Sequence, residues 1–279
     1  MVHKEYVKKK RTRKIVILAT CVTGVAVTAF SIVAFLGKEL GDFTVSIQND
    51  GPQLSISKTG DFTDATSFLR IDKVKPFEVW TNSALPSDDE IDNKSTTASI
   101  GERVDSKNEV NSIYFFKLTF FVKNVGTVVA NYNEDLTIVS AVKDTTTNSY
   151  GLDDILRVRF YTNKSDTTTG LESSSHNYVT YAKESDNLHY DSDGNATHKE
   201  YIAGSGTGLC ESFLSDTEIC NTEQTNLGIN EVIRYTILYY LEGEDTECNG
   251  AKPVDSNIKL NLSFKTYVNN EEETTNDAE

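Results

Sequence analysis

The chain has 279 residues, and its 42 acidic residues outnumber its 27 lysines and arginines, which gives a net charge of −15. A field of this sign repels the phosphates of nucleic acids, so the charge argues against a nucleic-acid partner. The length allows one large domain or two small ones.

The first 37 residues differ from the rest of the chain. Residues 1–14 carry seven Lys and Arg against one Glu, and the following 22 residues contain no charge. As a helix this run would span roughly 33 Å, close to the thickness of a bilayer's hydrocarbon core. We therefore predict a basic cytoplasmic segment over 1–14 and a transmembrane helix or uncleaved signal anchor over 15–37. Because basic flanks stay cytoplasmic, the remainder is expected outside the cell.

Cleavage of this segment is the alternative, and it would make the protein secreted. The small residues at Ala29–Ser31 suit a signal-peptidase site, whereas the length of the apolar run favours a retained single-pass anchor. With the first 37 residues at +6, residues 38–279 carry −21. Such a charge attracts divalent cations or basic partners, and it also keeps a crowded surface soluble.

Beyond the apolar run, apolar and polar residues alternate, which is the pattern of β-strands. Turn residues separate the first two candidate strands, and Pro76 separates the next two. Residues 81–112 are polar and are predicted to form a long loop. The strongest candidate, Ile113–Lys123, has one apolar face and one mixed face. The strands predicted in this half are 43–48, 53–57, 67–74, 77–80 and 113–123.

The second half continues this pattern, with one polar interruption. Residues 162–230 have a weak apolar signal and are interpreted as a polar insertion, with short strands only at 178–182 and 199–203. No stretch after the apolar run has a helical period. The fold is therefore predicted to be all-β, an antiparallel β-sandwich or jelly roll over 38–270, followed by an acidic disordered tail over 271–279. Clear strands are predicted at 127–133, 136–142, 155–161, 231–242 and 258–264.

A cluster of carboxylates follows the strand at 231–242. Alternating carboxylates can bind calcium, but the spacing here differs from that of a known calcium loop. We interpret the cluster as a solvated strand end whose charges protect a sheet edge, with a calcium site as the weaker alternative. Its members are Glu242, Glu244, Asp245 and Glu247.

A second weak calcium candidate is Asp191 with Asp193. The pair begins like a calcium loop, yet Ala196 stands where such a loop needs Gly, so a polar hairpin tip is the simpler interpretation. The sequence contains no H-E-x-x-H motif, no nucleophile elbow and no phosphate-binding loop. We therefore expect no catalytic residues and no cofactor, and we predict that the protein is not an enzyme.

Three cysteines are candidates for a disulfide. Cys210, Cys220 and Cys248 would face an oxidising exterior, where disulfides persist. Three thiols allow three single pairings, each with one cysteine left over. The short loop between Cys210 and Cys220 favours that pair, although Cys248 could replace either partner.

Three stretches follow the basic start and the apolar run, namely GDFTVSIQNDGPQLSIS (41–57), FFKLTFFVKNVGTVVANYNEDLTI (115–138) and IKLNLSF (258–264). Together they resemble the TasA–camelysin group of exported proteins from Gram-positive bacteria. The resemblance implies a jelly-roll fold and, as in members that form biofilm matrix fibres, self-assembly. Addition of a strand from a neighbouring copy would suffice for this, with 43–48 as the natural donor. The metallopeptidase activity ascribed to camelysins is not carried over, because the chain lacks a zinc motif. A further stretch, YTILYYLEGEDTEC (235–248), is similar to a segment that recurs in surface proteins of Firmicutes.

These observations predict a membrane-anchored bacterial cell-surface protein with a structural or interaction role, which includes matrix or fibre assembly. Its partners would be the lipid bilayer, through the N-terminal helix, and further copies of itself or other surface proteins. The first alternative is an adhesin or a calcium-dependent ligand-binding module that uses the acidic loops. A secreted metallopeptidase of the camelysin type is the second alternative, which the sequence favours least.

Overall fold

The part of the chain that the structure describes begins at the first strand after the apolar run. The predicted segments 1–14, 15–37 and 271–279 lie outside it. Within the described ranges, no helix combines the length and the apolar character needed to cross a bilayer. The computed structural model describes residues 43–49, 51–71, 77–92, 99–104, 110–141, 151–164, 176–205, 208–245, 248 and 258–267, with the backbone alone for 99–104, 110–112 and 164.

The described residues form fifteen strands and two short helical turns, so the predicted all-β fold class is confirmed. The helical turns are a 3-10 turn at Asn82–Ala84 and the four-residue helix α1 at Asp88–Ile91. The strands are β1 (Phe43–Asn49), β2 (Leu54–Ser57), β3 (Phe68–Ile71), β4 (Val79–Trp80), β5 (Ser99–Val104), β6 (Val110–Asn124), β7 (Ala130–Ala141), β8 (Leu156–Lys164), β9 (Tyr178–Ala182), β10 (His189–Tyr190), β11 (Ala196–Thr197), β12 (Glu211–Ser212), β13 (Glu218–Leu227), β14 (Val232–Glu242) and β15 (Ile258–Tyr267).

The strands form two main sheets and one small hairpin, β10–β11. The five-stranded sheet has the order β13-β7-β15-β1-β3, and the eight-stranded sheet has the order β12-β9-β8-β14-β6-β2, with β4 beside β14 and β5 beside β6. Most neighbours are antiparallel, but β1 runs parallel to β15, β4 to β14 and β12 to β9. The sheets are therefore mixed, and the expectation of a purely antiparallel sandwich was wrong on this point.

The two sheets pack face to face through the apolar positions that alternate along their strands. Aromatic rings meet between the sheets, since the Phe43 ring centroid lies 5.7 Å from that of Phe116 and the Phe264 centroid lies 6.0 Å from that of Phe120. The alternation predicted for β14 is confirmed, because the same side of this strand enters the main core along its length. The inward residues of β14 are Ile233, Tyr235, Ile237, Tyr239 and Leu241.

The outer face of the eight-stranded sheet is covered as well, which the sequence did not predict. The 3-10 turn and α1 lie over it, and Lys117 of β6 donates from Nζ to the Glu90 backbone oxygen at 3.3 Å. Lys117, Thr119 and Phe121, on the mixed face of β6, are all buried. The predicted long loop over 81–112 was wrong, because this segment forms the cover, then β5, then the start of β6.

Residues 162–230 contain more strands than the sequence predicted. Tyr178–Ala182 is confirmed as β9, whereas β13 was missed. β13 forms one edge of the five-stranded sheet, and it buries Ile219, Cys220 and Leu227 while most of its other side chains are polar and at least partly exposed. An edge strand with so few apolar residues gives little alternation to detect.

Candidate functional site

Two of the four carboxylates at the end of β14 are buried rather than solvated. Glu242 is buried, and it accepts hydrogen bonds from the backbone N–H groups of Asn82 and Glu244, both at 3.1 Å. Asp245 is also buried, whereas Glu244 is exposed and Glu247 lies outside the described residues. The prediction of a solvated terminus was therefore wrong for Glu242 and Asp245, because other segments of the chain fold over the strand end.

Asp245 belongs to a buried ion-pair network. A guanidinium nitrogen of Arg157 lies 2.6 Å from Asp245 and 3.2 Å from Glu200, and all three side chains are almost inaccessible to water. Burial acts to lower the pKa of Arg157, but the neighbouring charges, Asp245 first, raise it on balance. The described residues hold no group of three or more His, Cys, Asp and Glu side chains placed to bind a metal ion. This network ties the start of β8 to the segment after β14.

Asp191 and Asp193 lie in the turn of the β10–β11 hairpin, so the interpretation as a hairpin tip is confirmed. Asp191 Oδ1 accepts hydrogen bonds from the backbone N–H groups of Asp193 and Asn195, at 2.9 and 2.8 Å. The hydrogen bonds, led by that from the Asn195 side chain, lower the pKa of Asp191. The carboxylate therefore closes the turn of its own hairpin.

A second buried network fixes α1 on the eight-stranded sheet, and Asp92 is its centre. Asn163 Nδ2 donates to Asp92 Oδ2 at 2.6 Å, and a guanidinium nitrogen of Arg234 lies 3.1 Å from the same oxygen. Thr236 Oγ1 donates to Asp92 Oδ1 at 3.1 Å. One carboxylate at the end of α1 thus receives donors from both β8 and β14, which makes it a structural anchor for the cover.

His176 holds the other side of α1. Its Nδ1 atom lies 3.1 Å from Asp92, and its Nε2 atom lies 2.8 Å from Asp89. These hydrogen bonds, Asp89 first and then Asp92, raise the pKa of His176. The imidazolium form can donate from both nitrogens, so this contact is stronger at acidic pH.

One carboxyl group lies in the core between the sheets. Glu134 occupies an inward position of β7 and is buried. Tyr235 donates a hydrogen bond to it, and the Tyr132 hydroxyl oxygen lies 2.8 Å from that of Tyr235. Burial raises the pKa of Glu134 to about 7, although the Tyr235 hydrogen bond acts in the opposite direction. Sequence analysis missed this group, and its only signal was a Glu at an inward position of an alternating strand.

The three candidate cysteines are buried, and none of them forms a disulfide in the described part of the chain. Cys210 precedes β12 of the eight-stranded sheet, whereas Cys220 lies in β13 of the other sheet. Burial raises the pKa of Cys210 to about 11 and that of Cys220 to about 12. Such thiols stay protonated at neutral pH and are poor nucleophiles. The structure therefore does not support the predicted pairing of Cys210, Cys220 and Cys248.

A pocket of about 660 Å³ opens at one end of the sandwich. It lies between the turn that follows β1 and the turn that follows β6. The sequence analysis used both stretches only as turn signals, so it did not find this place. The side chains at the pocket are small or uncharged, and they include Pro52, Gln53, Val128, Asn131 and Tyr267.

The described residues form an all-β sandwich with internal ion-pair networks and a pocket at one end. No protein-family model, no curated protein and no solved structure matches the chain. The resemblance to the TasA–camelysin group therefore stays an expectation from the sequence. The contacts of the described residues are the basis for proposing a function.

Proposed function

We propose that the chain is a single-pass bacterial cell-surface protein whose outer β-sandwich has a structural or interaction role, which includes assembly by strand addition. The basic residues 1–14 and the apolar run after them support the surface location. The buried charges support a structural role, because Arg157, Asp92 and Asp245 have internal partners. Side chains committed in this way hold the fold together rather than surround a substrate.

The observation that carries the assembly part of the proposal is the place of β1. This strand follows the predicted anchor, and it lies between β15 and β3 rather than at a sheet edge. It pairs in parallel with β15 over seven residues. Phe43 and Val45 are fully buried, so β1 contributes both to the sheet and to the core.

A strand in this position is suited to exchange between copies. β3 is the end strand of the five-stranded sheet and joins it through β1, so release of β1 would open a slot beside β15. The same residues from a neighbouring copy have the side chains to fill that slot in the same register. Exchange would leave the order of the other strands unchanged.

Deletion of residues 43–49 from the full-length chain tests strand addition, because the deletion opens the slot. We expect a synthetic peptide with the sequence of residues 43–49 to bind the shortened chain and to raise its melting temperature. The matched control is the same peptide with Val45→Asp, which places a charge in the core and should have no effect. If the two peptides act equally, or neither acts, the idea of strand addition at β1 is wrong.

The surface location is tested separately, in bacterial cells that produce the full-length chain. An external protease should digest the sandwich while a tag placed before Met1 stays protected. Protection of both the tag and the sandwich would contradict the surface location. Release of the sandwich into the medium without residues 15–37 would instead support the secreted alternative.

An adhesin or ligand-binding module is the second candidate function, and the open pocket at the end of the sandwich favours it. The calcium-dependent form of this candidate is not favoured, because Glu242 accepts backbone N–H groups and Asp245 pairs with Arg157. No contact among the described residues favours the metallopeptidase alternative.

A further inference from the structure

Three turns at the end of the sandwich that holds the pocket contain no charged residue in their sequence. We name this end the tip and define it as residues 51–53, 124–131 and 226–230. None of its sixteen residues is Asp, Glu, Lys, Arg or His, although 25% of the chain is charged. Charged residues stand next to it in the sequence, namely Asp50, Lys123 and Glu231. The tip therefore consists of uncharged turns with charged residues at their borders, of which Glu231 accepts the Gly228 N–H at 2.7 Å.

The tip also exposes aliphatic side chains. Exposed apolar groups in a cluster mark interaction sites, because their removal from water is favourable. The tip thus offers apolar contact area in a chain whose surface is otherwise strongly acidic. The four side chains are about half exposed: Val125 (46%), Val128 (55%), Val129 (49%) and Ile229 (51%).

A buried amide holds two turns of the tip in one arrangement. Asn124 is fully buried, and its Nδ2 atom donates to the backbone oxygens of Val128 at 2.8 Å and Leu227 at 3.0 Å. Its Oδ1 atom accepts the Gly126 N–H at 2.9 Å. The turn after β6 and the turn before β14 are therefore fixed relative to each other, so little conformational entropy is lost on binding.

The third turn is joined to them by the backbone. The N–H groups of Val125 and Gly126 donate to the Gln53 oxygen, at 2.9 and 3.2 Å. A Cβ atom at position 126 would lie 3.0 Å from the Gln53 nitrogen, which is tighter than most Cβ contacts, so this close approach favours glycine. All three turns of the tip are thus parts of one preformed surface.

The tip lies at the end of the sandwich opposite the point where the chain enters β1. Phe43 pairs with Leu260 near the start of β15, whereas Asn49 pairs with Thr266 near its end. Tyr267, which lines the pocket, is at that second end. A partner at the tip therefore approaches from the side away from Phe43.

We propose that the tip binds a second copy of this chain, tip to tip, around a twofold axis. The inference rests on the proposed surface function and names its partner. The outer parts of two copies, each with a charge of −21 over residues 38–279, repel each other, and they approach at least electrostatic cost through the uncharged turns. The centres of protein interfaces are depleted of charge in the same way. The contact directs the two Phe43 ends apart, so it joins copies held on two facing surfaces.

Tethering of vesicles tests this contact. The full-length chain is reconstituted into two populations of uncharged phosphatidylcholine vesicles with different dyes, and co-diffusion of the dyes is measured. We expect the populations to associate, and to associate faster when salt is raised above about 0.1 M, because screening weakens the repulsion between acidic copies. A contact between opposite charges would respond to salt in the other direction and would overturn the proposal.

A double variant at the tip and a matched control give the decisive comparison. Val128→Glu with Val129→Glu places like charges across the twofold axis, and tethering should fall at least about tenfold. Leu188→Glu with Leu214→Glu adds the same charge at side chains that are 52% and 60% exposed in other loops, and tethering should persist. Because all four sites are on the surface, the variants should keep the wild-type melting temperature.

Three results would overturn the proposal. They are equal tethering by both double variants, absence of tethering by the wild-type chain at either salt concentration, and equal tethering to vesicles that carry no protein. The last result would identify a lipid contact. Because protease digestion on cells reports the surface location independently, a failure of the tip contact is distinguishable from a failure of the proposed function.

Discussion

Two buried carboxyl groups of this sandwich lie in opposite electrostatic settings. Asp245, at the outer face of the eight-stranded sheet, has the Arg157 guanidinium 2.6 Å away. Glu134, between the sheets, has the hydroxyl group of Tyr235 as its partner, and burial raises its pKa to about 7. The difference shows that the partner of a buried carboxyl group, rather than its burial alone, decides whether the charge is tolerated.

Removal of the cation should have the largest effect on stability. Arg157→Met removes the guanidinium group that lies beside the buried Asp245 and Glu200, and we expect the free energy of unfolding to fall by about 3–5 kcal/mol. Urea unfolding of the wild-type and variant chains measures the change. The control is Lys199→Met, which removes a surface pair with Glu211 and should cost no more than about 1 kcal/mol. An equal loss of free energy of unfolding in the two variants would show that burial does not strengthen the ion pairs of Arg157.

Glu134 should make stability depend on pH in one direction. The pKa of Glu134 is about 7 in the folded state and 4.5 in the unfolded state, so the folded state holds the proton more tightly. The contribution of Glu134 to stability is therefore fully present below pH 4.5 and is lost as the pH rises through about 7. The expected loss is about 3 kcal/mol. Glu134→Gln should remove this loss when unfolding is measured at about pH 5 and about pH 8. A variant that keeps the wild-type difference between the two conditions would contradict the assignment.

His176 should give a smaller effect. Its pKa is raised in the folded state, so its contribution is fully present below the unfolded value of 6.5 and is lost as pH rises through the folded value. His176→Ala should therefore lower the free energy of unfolding more at acidic pH than at basic pH. The loss at acidic pH should be only about 1 kcal/mol, because the contact is partly exposed. A loss that grows with pH would have the wrong sign for this contact.

The thiols should have the smallest effect on stability, and Cys210 and Cys220 interact with the charges of Arg157 and Glu134 respectively. The Arg157 charge lowers the pKa of Cys210 and the Glu134 charge raises the pKa of Cys220, but burial has the larger effect on each thiol. We expect a reducing agent to leave the melting temperature unchanged. A thiol reagent should modify Cys210 and Cys220 only after unfolding, as measured by mass spectrometry. Rapid modification of the folded chain would contradict their burial.

Strand β14 shows how far the sequence predicts this fold. Its inward residues follow from alternation alone, because period two is a property of every strand. Its outward residues Arg234 and Thr236 also alternate, and the same rule assigns them to solvent. They are buried because Asp92, 144 positions before Thr236 in the sequence, covers them. A contact of such separation leaves no local pattern.

The candidate sites were missed for the same kind of reason. In the sequence, Glu134 is one polar residue among the apolar residues of an alternating strand. Its hydrogen bond with Tyr235 of the opposite sheet becomes visible only in the folded structure. The tip consists of turn residues whose local signal is the turn itself. Val128 and Val129 are exposed where three turns from separate parts of the sequence meet. No single stretch of sequence contains all three turns, so local patterns do not predict this surface.

The parallel pairing of β1 with β15 has a mechanical consequence. A pull on the chain before Phe43, opposed by a pull after Tyr267, draws the two strands past each other along their length. Their backbone bonds then share the load in shear and must break together, whereas antiparallel neighbours pulled from one end open bond by bond. A sandwich loaded at these two ends therefore resists the pull through its first and last described strands.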